Sequence, residues 1–385
     1  MNAGQEVLEL KDVANLSKTE SDTAVTAFRH IPALDGLRGI AVLAVMFYHL
    51  EVLVPWLGPV SHGGFLGVDI FFVLSGFLIT SVLLKEQARN GQISLKNFYM
   101  RRIFRLVPAY WFFLIVLFSF GQFLLSPLAA KTIYDYYSYN FILAFLYLMN
   151  WNRATAETAV AGNLNHTWSL SIEEQFYIFW SFVTFLAFSE KRSRVTIFFI
   201  TAGLVLLVIC WRMGRALNGT SPDVLYYSTD TRIDAILIGC VASMIYMWKL
   251  APKSFFKSVY FDLLAAACYL TLVWIFFNAS SKDISLYTAL LPLFTVSVAV
   301  IILWLMNREK TPGHFLLEIR PLQWIGKISY GLYLWHYLAY EFSRETFSSV
   351  EMQIAAGTTL AFAASALSYY VIELPFLRLK TKFSS

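Results

Sequence analysis

The chain has 385 residues, of which 58% are hydrophobic, 17% aromatic and only 14% charged, with a formal net charge of +5 and a mean hydropathy of +0.58. Soluble domains carry roughly 25% charged residues, so a deficit this large with repeated long apolar runs points to a surface facing lipid. No contiguous basic face is visible, which argues against nucleic acid as a partner.

Residues 1–30 are polar and mixed in charge, without a basic stretch followed by an apolar core. They read as a disordered cytosolic tail and not as a cleaved signal peptide. Residues 31–378 read as one transmembrane domain, and 379–385 as a short cytosolic tail. Apolar runs of about 18–22 residues predict an all-α bundle of ten spans. They lie near 33–54, 64–84, 103–126, 168–188, 195–212, 229–248, 259–278, 286–306, 323–342 and 353–373. An eleventh stretch, 136–151, is shorter and rich in Tyr and Asn. Positive charge accumulates in cytosolic loops. Lys85, Arg89, Lys96, Arg101, Arg102 and Arg105 therefore mark an inner loop, as do Lys191, Arg192 and Arg194. Only an even number of crossings fits between those two groups, so 136–151 reads as a re-entrant or interfacial piece. Both termini are then cytosolic. Cys210, Cys240 and Cys268 fall inside apolar runs without zinc-type spacing, so neither a metal site nor a disulfide is expected.

Ionisable residues at membrane depth are costly and face the bundle interior, which makes them functional candidates. The first span carries Asp35, Arg38 and His49. Arg38 and His49 are eleven residues apart, so they project from one face about 16 Å apart along the axis. Asp69 on the returning second span falls level with His49. Glu173 and Glu174 in the fourth span, Arg232 and Asp234 in the sixth and His336 in the ninth fall at a similar depth, as a buried reaction chamber requires. Near the inner end, Arg101, Arg102 and Arg105 offer planar donor forks for phosphate beside Arg38. A histidine suits general-base chemistry on a hydroxyl, because its unperturbed pKa lies near neutrality. Asp69 or Glu174 could orient His49, and the sequence does not choose between them.

Each candidate also has a plainer reading. Arg38 could be a counter-ion to Asp35 or Glu373. The Arg101 cluster could simply anchor the chain by the positive-inside rule. Arg232 and Asp234 could form an internal ion pair. His336 could serve packing as well as function. Trp151 and Trp168 could stack on a sugar ring, and His166 could touch the acceptor.

The motifs resemble the acyltransferase-3 family of membrane O-acyltransferases along nearly the whole chain after residue 30. They are Leu34-Asp35-Gly36-Leu37-Arg38 with ten residues to His49, Gly67-Val68-Asp69, and the run from Arg101 to Pro108. Trp168 to Tyr177, Arg232-Ile233-Asp234, Ser329-Tyr330 through Trp335-His336, and Glu373-Leu374-Pro375 complete the set. The resemblance implies a bacterial inner-membrane enzyme, in the short form without a C-terminal SGNH-type domain. It implies a cytosolic acyl-CoA co-substrate, most often acetyl-CoA, with no permanently bound cofactor. A carbohydrate or glycosylated hydroxyl would be the acceptor. It makes His49, Arg38, Asp69, Glu173 and Glu174 catalytic candidates, and Arg38, Arg101, Arg102 and Arg105 donor-binding candidates. Trp168, Arg232, Asp234, Tyr330 and His336 form an acceptor or structural polar cluster. A transporter or flippase built on the same charged cavity is the alternative, although no internal repeat of the transporter kind is evident.

Overall fold

A computed structural model describes residues 31–124, 139–155 and 162–380. The expected tail at 1–30, residues 381–385 of the tail expected at 379–385, and the first residues of the 136–151 stretch lie outside the described residues; Leu379 and Lys380 end a helix, Leu374–Lys380. Among the described residues the regular structure is helical throughout. Ten long helices carry it: α1 Pro32–His49, α2 Gly67–Asn90, α3 Leu95–Leu124, α4 Trp168–Ser189 and α5 Arg194–Leu217, then α6 Thr229–Met247, α7 Val259–Asn278, α8 Leu291–Asn307, α9 Ser329–Thr346 and α10 Val350–Leu367. Each begins or ends within a few residues of an apolar run predicted from sequence.

Local chemistry explains several boundaries. Ser193, Ser258 and Ser349 cap α5, α7 and α10, their hydroxyl oxygens accepting from the N–H of Thr196, Phe261 and Met352. Helix α2 stops at Gly91, whose φ of 71° is left-handed and whose N–H returns to the Gln87 carbonyl at 2.9 Å. Two runs expected to be single α-helices contain a wider π-type turn, at Leu286–Leu290 before α8 and at Ser368–Glu373 after α10. The 139–155 stretch breaks at Tyr147, with a φ of 54°, between two short helical pieces.

Among the described residues six helical segments are long and apolar enough to cross a membrane: His62–Asn90, Leu95–Ser119, Arg194–Leu217, Val259–Asn278, Leu286–Asn307 and Val350–Leu379. Four long helices, α1, α4, α6 and α9, fall outside that set. Helices α4, α6 and α9 bury polar residues such as Ser169, Arg232, Asp234 and His336, and α1 carries Asp35, Arg38 and His49, so their sequences are less apolar. Outward-facing apolar side chains concentrate on the other helices: Phe199, Ile200, Leu206 and Leu207 on α5, and Leu263, Leu270 and Phe277 on α7, are exposed as lipid-facing residues would be.

The centre of the bundle is the crossing of α2 and α6, which run parallel. A β-carbon on Gly76 would fall 1.8 Å from the Ile236 carbonyl oxygen, and one on Gly239 would fall 2.0 Å from that of Val73. Backbones this close exclude every other residue type, as at small-residue crossings in membranes. Ser81 and Ser243 hydrogen-bond at 2.8 Å beyond the crossing. Around this pair, α5 packs on α6, α1 on α2, and α10 on α9, while Arg320–Lys327 braces α1. Replacing Gly239 by Ala must part the two backbones. The expected cost is about 1–3 kcal/mol, read as a lower unfolding temperature in detergent; an unchanged unfolding temperature would show that the crossing is not so close.

Candidate active site

Two turns before their glycines, α2 and α6 bring Asp69 and Arg232 together. Arg232 Nη2 donates to Asp69 Oδ1 at 2.9 Å, and both side chains are fully buried. A second buried pair lies beside it, with Arg212 Nη1 donating to Asp234 Oδ1 at 2.6 Å. Arg212, on α5, also donates to the carbonyls of Thr231 and Tyr287. Three rings surround the Arg232 guanidinium, with Tyr226 at 4.8 Å and Trp168 and Phe72 each at 5.8 Å.

This arrangement corrects two expectations. Arg232 and Asp234 do not pair with each other, because residues two apart on a helix point in different directions. Each instead finds a partner on another helix. Asp69 spends its hydrogen bond on Arg232 and none on His49.

The partner of His49 is His336, from α9. His49 Nδ1 and His336 Nε2 are 3.0 Å apart, and His336 Nδ1 is 2.8 Å from the Leu332 carbonyl oxygen. A carbonyl only accepts, so His336 carries its hydrogen on Nδ1 and presents a lone pair at Nε2. His49 must then donate through Nδ1. Its Nε2 is left with the free lone pair, the tautomer that a general base requires.

Three cavities run in series through the molecule. The outer one, about 430 Å³, is lined by His49, His166, Trp168 and Tyr226 among others. A narrow middle one, about 100 Å³, is lined by Arg38, Arg102, Arg105, Glu173, Glu174, Tyr177 and Tyr330. The third, about 290 Å³, forms a mouth with Asp35, Arg38, Arg105, Lys327, Tyr330 and Glu373. Val68 and Tyr333 belong to both the outer and middle cavities. Arg38, Arg105, Leu106 and Tyr330 belong to both the middle cavity and the mouth.

Glu173 and Glu174 therefore group with Arg38 and not with His49, which corrects the single level expected for all the charges. The turn preceding α4, Gly162–Thr167, is itself sunk into the protein, with Leu164, His166 and Thr167 buried. The helix accordingly starts below the surface, and its carboxylates lie deeper than a count from the helix end suggests. Glu173 accepts from Tyr177 at 2.6 Å and from Ser75 at 3.2 Å. Arg102 lies over the Tyr177 ring at 4.0 Å.

Of the expected donor-binding arginines, Arg38, Arg102 and Arg105 line cavities. Arg101 lines none of these three; it is held by Glu86 at 2.5 Å. Tyr330 donates to the Leu106 carbonyl at 3.1 Å, at the join between middle cavity and mouth. Arg212 and Tyr333 were not singled out from sequence as site residues.

With this geometry in hand, comparison with known proteins is decisive. The model of a family described as an acyltransferase domain matches residues 31–373. The chain belongs to the acyltransferase-3 family. A peptidoglycan O-acetyltransferase of Listeria monocytogenes is 33% identical over 363 residues, covering 90% of this chain and 56% of that protein. A provisionally named O-acetyltransferase of Staphylococcus aureus (strain COL) is 34% identical over 384 residues, covering 94% and 59%. A provisionally named peptidoglycan O-acetyltransferase of Bacillus subtilis is 33% identical, covering 90% and 55%. The acyltransferase chain thus spans somewhat more than half the length of these relatives. No solved structure matches it.

Breaking one buried ion pair separates its role from that of the reacting groups. Asp69→Leu leaves Arg232 charged and unpaired, with an expected loss of about 3–5 kcal/mol. Asp69→Leu combined with Arg232→Met should lose less than the single change. Thermal unfolding in detergent checks this, and a double variant no more stable than the single one would contradict it.

Proposed function

We propose that this membrane acyltransferase moves an acetyl group from cytosolic acyl-CoA to a carbohydrate hydroxyl on the opposite face, with His49 as general base. The observation that carries the reading is the serial passage, with arginines at one end and the His49–His336 pair at the other.

In this reading the phosphates of the donor meet Arg38, Arg105 and Lys327 at the mouth, where planar guanidinium forks suit phosphate oxygens. The pantetheine arm, a thin chain, occupies the narrow middle cavity. Its thioester reaches the partition formed by Val68 and Tyr333. The acceptor enters the outer cavity, and His49 Nε2 removes the proton from its hydroxyl as the oxygen attacks the thioester carbonyl. The C–S bond breaks, an ester forms, and the CoA thiolate takes the proton back from the His49 imidazolium. His336 holds the reactive tautomer throughout. Arg102 and the Glu173–Tyr177–Ser75 group shape the wall beside the arm and are positioned to orient the thioester. Glu174 lines the same middle cavity, while Asp69 and Asp234, paired with Arg232 and Arg212, brace the wall of the outer one.

The same reading takes all ten long helices across the bacterial inner membrane, with both termini inside. The shortest of the four more polar helices, α1, α4, α6 and α9, has 18 residues, about 27 Å long against a hydrocarbon core of about 30 Å. Their polar faces point inward, so they need less apolar character than helices at the rim. Lys85, Arg89, Arg102 and Arg105 then share the inner side with the mouth. The peptidoglycan named for the relatives makes a glycan the acceptor class of choice.

Acetyl-CoA binding and CoA release by purified protein test the division of roles. Arg105→Ala should weaken acetyl-CoA binding on the order of tenfold, as loss of a charge-assisted hydrogen bond does. Its effect on acetyl-pantetheine, which lacks the nucleotide phosphates, should be small. His49→Ala should bind donor like the wild type and transfer about 10²–10⁴-fold more slowly. A His49→Ala protein that transfers normally, or a folded wild type that binds no acyl-CoA, would overturn the reading.

A further inference from the structure

Buried polar atoms that lack partners are rare, because an unmade hydrogen bond leaves a desolvated group uncompensated. Three of them cluster on one short turn of this protein. Asn165 Oδ1 and both ring nitrogens of His166 have no hydrogen-bond partner. His166 is only 3% exposed, and both residues line the outer cavity that His49 shares.

The turn does not use these side chains to hold itself. Thr167 Oγ1 donates to the Leu164 carbonyl at 2.7 Å, and the Tyr333 hydroxyl donates to the His166 carbonyl at 2.8 Å. The His166 ring is fixed by other rings instead. Tyr337 stacks on it with centroids 5.9 Å apart, and His336 and Phe113 meet it edge-on at 5.5 and 5.9 Å. Its orientation is thus set by rings, with the Leu334 backbone beside a ring nitrogen and, among the described residues, neither nitrogen in a well-formed hydrogen bond. Burial first, then the neighbouring His336 and His49, push its pKa well below the ordinary value. A neutral imidazole offers one donor and one acceptor. Two neighbouring hydroxyls of a sugar, each able to donate and accept, complement such a group and the Asn165 carbonyl oxygen.

The rest of the cavity has the matching chemistry. Trp168, Tyr226 and Tyr227 pack on one another with centroids 4.8 to 5.2 Å apart and make a rigid aromatic wall, suited to the apolar face of a pyranose. Glu51 and Asp223 line the cavity, and no Lys or Arg is among its lining residues within the described part of the chain. Carboxylates accept from hydroxyls and repel anions.

We propose that the Asn165–His166 turn is a hydroxyl-binding subsite for an uncharged saccharide, holding the sugar so that an adjacent hydroxyl faces His49. The proposal rests on the acyl-transfer reading for its consequence in turnover, but saccharide binding can be measured without turnover.

Direct binding of a β-linked N-acetylhexosamine tetramer to the purified full chain is the first test, with a hexuronic acid oligomer of the same length as the anionic control. The wild type should bind the neutral oligomer and not the anionic one. Asn165→Ala and His166→Ala should each weaken binding on the order of tenfold, the effect of one lost hydrogen bond. His166→Asn, which keeps a donor and an acceptor, should recover part of the loss. Acetyl-CoA affinity, measured on the same samples, should stay constant and reports a folded protein. Asn165→Ala provides the same readout without disturbing the rings around His336. With the acetyl acceptor assay added, the loss should fall on the acceptor KM and not on the donor KM. Failure of the wild type to bind the neutral oligomer, preference for the anionic one, or unchanged affinity in both alanine variants would overturn the subsite. If the wild type binds the saccharide as described but neither binds nor consumes acetyl-CoA, the acyl-transfer reading fails and the subsite stands.

Discussion

The parallel contact of α2 with α6 is the constraint on which the rest of the structure depends. Gly76 and Gly239 let the two backbones touch, and two turns earlier that contact forces Asp69 and Arg232 into one buried pair. An ion pair in such a place is weak evidence for net stability, since desolvation offsets much of the attraction. What it supplies is position. Arg232 lies among Phe72, Trp168 and Tyr226, and the last two are walls of the outer cavity. The Arg212–Asp234 pair fastens α5 to the same point. The charges that first suggest a reaction chamber thus build its wall, and the proposed chemistry falls to residues beside them.

The base proposed at His49 presents a particular difficulty, because a neutral imidazole has two tautomers and only one leaves the lone pair where it is needed. Here the choice is made by a carbonyl, that of Leu332, acting through His336. No carboxylate is required for the direction of the hydrogen bonds. The arrangement has the logic of a catalytic triad, in which a third group fixes the tautomer of the base, with a peptide carbonyl as its last member. The narrowness of the passage where Val68 and Tyr333 divide the cavities limits the space for water around a thioester. In the proposed reaction that favours transfer over hydrolysis.

Much of this was legible in the sequence, for definite physical reasons. Long apolar runs bounded by basic loops locate the helices, since chain length and hydrocarbon thickness are commensurate. Motif order identifies the family, and the spacing of Arg38 and His49 places both on a passage running along α1. Depth is readable from residue counts only where the helix end lies at the surface, and the direction in which a side chain points around the bundle is not readable at all. Asp69 therefore looked like a companion for His49 when its partner is on α6. A count from the helix end sets Glu173 and Glu174 level with His49, because it places at the surface a turn before α4 that the structure buries. Arg101 looked equivalent to Arg102 and Arg105, yet Glu86, fifteen residues earlier, holds it away. Arg212 sits in an apolar run with no motif around it, and only a fold shows that it meets Asp234. The π-type turns before α8 and after α10 leave no periodic signature strong enough to detect.

The central claim is that donor and acceptor meet from opposite faces at His49. Purified protein reconstituted in sealed vesicles of known orientation, with labelled acetyl-CoA on one side and a neutral glycan on the other, tests it most directly. The account predicts acetylated glycan only when acetyl-CoA is on the side bearing Arg102 and Arg105, with the released CoA remaining on that side. Acetylation that requires both substrates on the same face would contradict it.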